Sequence, residues 1–198
     1  DIENLAYLLQ YDSAYGRYDG EIKVEEEDGK KYLVVSPSSR EALKGAQKNR
    51  VVFLSEKDPT MFPWGVLGVD VVVEATGVYD SYEKAEVHKK AGAKRIVITA
   101  PAKDADNADG RTVLMGVNDE DLKTCTISSN GSCTTNSVSP VTQIFSEKIG
   151  IKKAFLATTH GYTATQNLID GPVKGHDWRR GRAAAGNISP SWTGAAIA

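Results

Sequence analysis

The chain has 198 residues, 40% of them hydrophobic and 25% charged, enough to bury a core and to form one or two domains. Its net charge of −2 excludes a bulk electrostatic attraction to nucleic acid or an anionic membrane surface. No apolar run approaches a transmembrane length, nothing resembles a signal peptide, and two cysteines that read as free thiols fit a reducing compartment, so the expected location is the cytoplasm.

Leu5, Leu8 and Leu9 recur at helical spacing and predict a helix over 4–10. Glu21 to Ser36 alternates and then turns apolar, which predicts a hairpin around Asp28-Gly29 with Glu25-Glu26-Glu27 as an edge in water. Val51 to Leu54 reads as a short strand. Asp70 to Glu74 is a near-continuous apolar strand of the kind buried in a parallel sheet, ending in Ala75-Thr76-Gly77. Tyr82 to Ala91 predicts a helix with Gly92 as its C-cap, and His88, among its charges, reads as solvated. Arg95 to Thr99 is the next buried strand, and Thr112 to Val117 another, ending in Asn118. Strand, helix, strand with short connections is a βαβ unit, whose crossover should be right-handed. In open α/β sheets a ligand lies beyond the carboxyl ends of the strands, here Thr76-Gly77, Thr99-Ala100-Pro101 and Asn118.

No Gly-x-Gly-x-x-Gly fingerprint occurs. A dinucleotide fold without it is either another fold or one whose first βα unit lies elsewhere. The chain starts at Asp1 without an initiator methionine and stops in Thr193-Gly194-Ala195-Ala196-Ile197-Ala198, which reads as a helix start. These ends suggest a piece of a longer protein.

The most informative run is Ser129-Asn130-Gly131-Ser132-Cys133-Thr134-Thr135-Asn136-Ser137. It follows a β-prone stretch and opens a segment, Val138 to Ile149, that reads as an amphipathic helix. A cysteine at a helix start meets unpaired N–H groups and the positive end of the dipole, which favour the nucleophilic thiolate. Ile151 to Thr159 reads as a strand leading into His160, and a thiolate with a base is the minimum equipment for covalent catalysis. These two residues alone also allow a cysteine hydrolase. Cys125 reads as a core-facing strand residue. The stretch from Asp170 to Arg182 is an irregular, glycine-rich basic loop with His176 exposed and Arg179, Arg180 and Arg182 as either anion contacts or a solvated patch.

Taken in order, these residues resemble the phosphorylating glyceraldehyde-3-phosphate dehydrogenases. The likeness runs through Leu8-Leu9-Gln10-Tyr11-Asp12-Ser13 with Gly16-Arg17, then Glu74-Ala75-Thr76-Gly77, then the segment from Ala93 to Pro101, then Gly116-Val117-Asn118. It continues in Ser132-Cys133-Thr134-Thr135-Asn136, the most specific motif, and in Thr163-Ala164-Thr165-Gln166, Asp170-Gly171-Pro172 and Thr193-Gly194-Ala195-Ala196. The resemblance implies an α/β fold: a Rossmann-type doubly wound sheet lacking its first βα unit in residues 1–132, followed by part of an α+β catalytic domain with a mixed sheet in 133–198. It also implies that residues 1–198 alone bind NAD weakly, because the pyrophosphate-binding turn is not among them.

The resemblance further implies NAD-dependent oxidative phosphorylation of D-glyceraldehyde 3-phosphate to 1,3-bisphosphoglycerate in glycolysis and gluconeogenesis, with erythrose-4-phosphate dehydrogenase as the alternative. It assigns Cys133 as nucleophile and His160 as its acid–base partner. Lys57, Thr76, Gly77 and Thr99 fall to the cofactor, with Lys57 standing where many relatives carry arginine. Ser132, Thr134, Thr193 and Gly194 fall to inorganic phosphate, and Thr163 to the substrate phosphate. Trp192 stands where relatives have a small residue and Ile197 where they have lysine. Pro172 matches the loop of NAD-using members, which favours NAD over NADP and implies a homotetramer. No metal, nucleic acid or membrane partner is expected.

Overall fold

The computed structural model describes residues 1–39, 44–191 and 193–195. Trp192, Ile197 and the helix start expected beyond Ala195 lie outside the described residues. Two compact units divide the chain, Asp1–Phe62 and Pro63–Ala198.

In the first unit, helix α1 (Ile2–Gln10) begins two residues before the predicted start, where the Asp1 carboxylate accepts the Glu3 N–H at 3.0 Å as an N-cap. It buries Ile2 and Ala6. A two-residue ribbon, β1 (Tyr11–Asp12) with β2 (Gly16–Arg17), follows. Strands β3 (Glu21–Glu27) and β4 (Lys30–Ser36) form the predicted hairpin, and β5 (Asn49–Phe53) pairs with the other side of β4. Asp28 and Gly29 both take positive φ, 51° and 71°, as a type I′ turn requires, and their Asp-Gly sequence is suited to it. The acidic run is not simply a wet edge. Arg50 stacks 3.6 Å above the Tyr32 ring and reaches across β4 to Glu25 (3.4 Å) and Glu27 (2.7 Å).

The second unit is built on a four-stranded parallel sheet, β6 (Val71–Glu74), β7 (Arg95–Ile98), β8 (Gly110–Thr112) and β9 (Ile127–Ser129), in the spatial order β6-β7-β9-β8. Helix α2 (Tyr82–Lys90) connects β6 to β7, and helix α3 (Cys133–Lys148) follows β9. This alternation is the expected Rossmann-type α/β arrangement. Tyr82 and Ala85 of α2 pack on Ile96, Ile98 and Ile127 of the sheet. The apolar β6 is buried on one face only: Val72 and Glu74 point into the packed face, while Val71 and Val73 are 47% and 61% exposed.

Four expectations are corrected. The strand predicted over Thr112–Val117 lies earlier, at Gly110–Thr112. Past Thr112 the Asn118 side chain accepts the Leu114 N–H (2.8 Å) and donates to the Thr112 carbonyl (2.9 Å), which bends the apolar residues into a turn. No strand forms over 151–159, because among the described residues no neighbouring strand offers a ladder, and Phe155 is 94% exposed. Beyond Lys148 the described residues hold only short 3-10 turns, at Trp178–Gly181 and Ala184–Gly186, so the mixed sheet implied for 133–198 does not occur there. Finally, His88 is not solvated. It lies on the packed stripe of α2 with Tyr82 and Ala85, at spacing three, and is 4% exposed. Among the described residues no helix is long and apolar enough to cross a membrane.

Gly110 sits directly against the Tyr82 ring, where a Cβ would stand 2.3 Å from the ring carbon. Gly110→Ala is therefore expected to cost about 1–3 kcal/mol by overpacking. A urea denaturation midpoint unchanged from the parent would contradict this packing.

Candidate active site

The end of β9 sets the position of the cysteine. Ser129 is fully buried, and its Oγ donates to the Ala100 carbonyl (2.7 Å) and accepts the N–H groups of Gly131 (3.1 Å) and Ala102 (3.3 Å). Gly131 then turns the chain at φ 65°. Ser132 caps α3: its Oγ accepts the Thr135 N–H at 3.0 Å and lies 2.8 Å from Thr135 Oγ1. Asn136 donates from Nδ2 to the carbonyls of Asn130 (2.6 Å) and Ser132 (2.9 Å), stitching the first turn to the loop before it. Cys133 is thus the first residue of the helix, with its sulfur exposed.

Cys133 Sγ lies 3.1 Å from His160 Nε2. The other ring nitrogen, Nδ1, is 2.7 Å from the Gly161 carbonyl. A carbonyl can only accept, so Nδ1 carries a proton and Nε2 is the atom that exchanges one with sulfur. The hydrogen bond from His160, above all, holds the Cys133 thiol below its ordinary range, helped by the N–H and hydroxyl of Thr134 and opposed by desolvation. The Gly161 carbonyl, then the sulfur, push His160 upward. Both shifts favour a thiolate–imidazolium pair. Cys125 shows the contrast. It is buried just before β9, and burial pushes its thiol up.

Three of the expected cofactor residues, Thr76, Gly77 and Thr99, lie at the ends of β6 and β7. Thr76 gives both its N–H (2.7 Å) and its hydroxyl to Glu74 Oε1. Thr99 gives its N–H (3.0 Å) and hydroxyl (3.2 Å) to the Glu74 carbonyl. Gly77 takes φ 70°, with nothing within 4 Å of where a Cβ would stand. Lys57 belongs to the first unit, where its N–H bonds to Glu56 Oε1 at 3.3 Å.

The phosphate candidates are less gathered. Ser132 and Thr134 flank the sulfur. Thr163 bonds to the Gln166 side chain through its N–H (3.0 Å) and lies 3.1 Å from Thr165 Oγ1, which accepts Arg180 Nη1 at 2.7 Å. Thr193 accepts the Ala195 N–H (3.2 Å), and Gly194 is exposed. Among the described residues, no hydrogen bond ties Thr163, Thr193 or Gly194 to Cys133. Arg179 pairs with Asp177 (2.8 Å) and Arg182 with Asp170 (2.9 Å). Arg180 also pairs with Asp177 (3.2 Å), so of the three it alone reaches a candidate phosphate residue, by way of Thr165. His176 is exposed, as expected. Among the described residues, no group of three His, Cys, Asp or Glu side chains could hold a metal ion.

Sequence reasoning missed Ser129, Asn136, Glu74 and His88. The lone charge ending an apolar strand, with the inward parity of Val72, was a usable signal for Glu74. Nothing local marked Thr165 and Arg180 as partners.

A parallel α/β sheet with an activated cysteine at the head of the helix after one strand defines a Rossmann-type protein equipped for covalent thiol chemistry. Residues 1–82 match the family model of the glyceraldehyde 3-phosphate dehydrogenase NAD binding domain, and residues 132–198 match that of its C-terminal domain. The chain belongs to the glyceraldehyde-3-phosphate dehydrogenase family. It is 45% identical over its whole length to a glyceraldehyde-3-phosphate dehydrogenase of Clostridium pasteurianum, covering 54% of that protein. It is 42% identical, again over its whole length, to glyceraldehyde-3-phosphate dehydrogenase 1 of Kluyveromyces lactis, covering 54%. It is 43% identical over 99% of its length to a cytosolic glyceraldehyde-3-phosphate dehydrogenase of Scenedesmus vacuolatus, covering 57%. The chain therefore spans about half the length of the curated relatives it matches.

Replacing His160 with alanine removes the largest cause of the lowered thiol. The midpoint for alkylation of Cys133 by iodoacetamide should move to higher pH in His160→Ala, with slower reaction at neutral pH. Coincident pH profiles for parent and variant would show that the contact does not activate the sulfur.

Proposed function

We propose that the protein carrying this chain is an NAD-dependent dehydrogenase that converts D-glyceraldehyde 3-phosphate and inorganic phosphate to 1,3-bisphosphoglycerate. The observation that carries this reading is the 3.1 Å approach of His160 Nε2 to an exposed Cys133 sulfur at a helix start. The relatives reported above bear the glyceraldehyde name, which favours the three-carbon aldehyde over erythrose 4-phosphate.

The roles follow from the chemistry of the groups. The Cys133 thiolate adds to the aldehyde carbon, forming a C–S bond and an alkoxide. The Cys133 N–H, one of the first-turn donors that a helix does not use internally, would stabilise that developing charge, and His160 Nε2 gives it a proton. His160 then takes the hydroxyl proton back as the centre is oxidised to a thioester on Cys133. Attack by phosphate at the thioester carbonyl breaks the C–S bond, releases the acyl phosphate and returns the thiolate.

The strand ends of the second unit suit a nicotinamide cofactor: Gly77 leaves open space beside the backbone, and Thr99 Oγ1, its hydrogen given to the Glu74 carbonyl, still offers acceptor lone pairs at the carboxyl edge of a parallel sheet. When bound, the cofactor supplies the two-electron acceptor. Thr76 gives both its N–H and its hydroxyl to Glu74, so Thr76 serves by shaping the turn, while Gly77 and Thr99 hold the cofactor; Lys57 is assigned to it by the family likeness alone. Ser132 and Thr134 with Thr193 and Gly194 take inorganic phosphate, and Thr163, backed by Thr165 and Arg180, takes the substrate phosphate. Ser132 contributes mainly by fixing the helix start, since its oxygen already accepts the Thr135 N–H.

A boundary between cofactor and catalytic domains at residues 132/133 is supported by the start of the C-terminal family model and by α3 opening at Cys133. A cytoplasmic location draws support from a cytosolic relative, and a homotetramer from the family likeness around Pro172.

Removal of a positioned acid–base group costs about 10²–10⁴ in rate. Accordingly, His160→Ala should lower phosphate-dependent NADH formation from glyceraldehyde 3-phosphate by that range, and Cys133→Ser should abolish it. The reading fails if Cys133→Ser retains NADH formation, or if the parent cleaves activated esters rapidly while forming none.

A further inference from the structure

The last residue of β6 is a buried carboxylate. Glu74 is 4% exposed, and its two oxygens are used differently. Oε1 accepts the N–H of Thr76 at 2.7 Å and the Thr76 hydroxyl. Oε2 meets His88 Nε2 at 2.9 Å, and His88 on α2 is also 4% exposed. On the far side of the ring, Trp64 Nε1 lies 3.4 Å from His88 Nδ1. The Tyr79 ring stands edge-on to the imidazole, with centroids 5.7 Å apart.

The donor inventory fixes the protons. An indole N–H can only donate, so His88 Nδ1 accepts from Trp64. A neutral imidazole that accepts at Nδ1 carries its hydrogen on Nε2, which therefore donates to Glu74. At the other end the Val78 N–H donates to Thr76 Oγ1 (3.1 Å), which leaves the Thr76 hydroxyl hydrogen for Glu74. One directed chain results, with Trp64 and Val78 as the outer donors and the Glu74 carboxylate as the terminal acceptor. The Glu74 carbonyl also receives both donors of Thr99. Thr76 and Thr99 thus hang from this one residue, and Gly77 follows Thr76 directly in the turn.

A buried charged or polar group is a poor device for stability alone, since well-packed apolar replacements are often neutral or better. What such a chain can give is a unique arrangement of the atoms it holds. We propose that Glu74 and His88, with His88 held in the Nε2–H tautomer by Trp64, are positioning residues that set the Thr76–Gly77 turn for a nicotinamide dinucleotide. The assignment rests on the reading of these strand ends as the cofactor site.

The test has two arms on the protein carrying this chain. In the first, long-range ¹⁵N–¹H NMR of the unsubstituted protein should show His88 protonated on Nε2 only. A hydrogen on Nδ1, alone or with Nε2, at neutral pH overturns the chain. In the second, NAD affinity is read by calorimetry. His88→Leu leaves Glu74 Oε2 without a donor and should weaken NAD binding tenfold or more. His88→Gln returns an N–H near the same place and should bind within threefold of the parent. The alkylation rate of Cys133 should be the same in all three proteins, which separates a local change in the turn from general misfolding. Equal loss in both variants, no loss in either, or parallel loss of Cys133 reactivity overturns the positioning role. If the unsubstituted protein itself binds no NAD, the cofactor reading fails, and the assignment falls with it for that separate reason.

Discussion

The contact between Cys133 and His160 works in the open. Both side chains are exposed, so water and salt screen the charge–charge part of their interaction. Low dielectric cannot be what stabilises the thiolate. A directed hydrogen bond can: His160 Nε2 meets the sulfur at 3.1 Å, the N–H and hydroxyl of Thr134 favour the same anion, and the N–H groups of a helix's first turn add their partial charge. Such a device depends on orientation. That explains the density of bonds below it, where Ser132, Thr135, Asn130 and Asn136 lock the helix start, and the Gly161 carbonyl fixes which imidazole nitrogen faces the sulfur.

Glu74 handles a charge in the opposite way. It lies out of water, where an unsatisfied carboxylate is prohibitive, and every contact made to it comes from a donor. The exposed sulfur stays open to a substrate, whereas the buried carboxylate is closed off from water and met by donors from Thr76 and His88. The same fold thus contains one acceptor prepared for chemistry and another prepared for holding backbone still.

Local rules made much of this legible. Asp28-Gly29 dictated a turn, Leu5, Leu8 and Leu9 a helix, and the apolar runs ending in Thr76-Gly77 and Thr99 a parallel sheet. Cys133 and His160 were legible through their flanking residues. What failed was non-local. Val113 and Leu114 look like strand, but Asn118 competes for Thr112 and Leu114 and wins. Residues 151–159 have strand character but no neighbouring strand among the described residues. His88 sits among lysines and glutamate in sequence, yet spacing three from Ala85 places it on the packed face, where partners 14 and 24 residues away make it tolerable. Arg180 could not be told from Arg179 and Arg182 because the difference lies in Thr165, fifteen residues off.

The two constellations share one frame. β6, β7 and β9 run parallel, so Thr76, Thr99 and Asn130 emerge at the same edge of the sheet. Ser129 clamps that edge by joining the end of β9 to the loop after β7 through Ala100 and Ala102, while Gly131 begins the turn toward Cys133. A serine hydroxyl suits this place because it can donate once and accept twice, matching the one carbonyl and two N–H groups presented to it. An alanine there would take the Ser129 oxygen away from all three groups, and a larger polar side chain would not fit a position with no exposed surface. The geometry of the cysteine and that of the strand-end turns are therefore not independent: the same short clamp that aims one helix start also fixes how far it stands from the neighbouring strand ends.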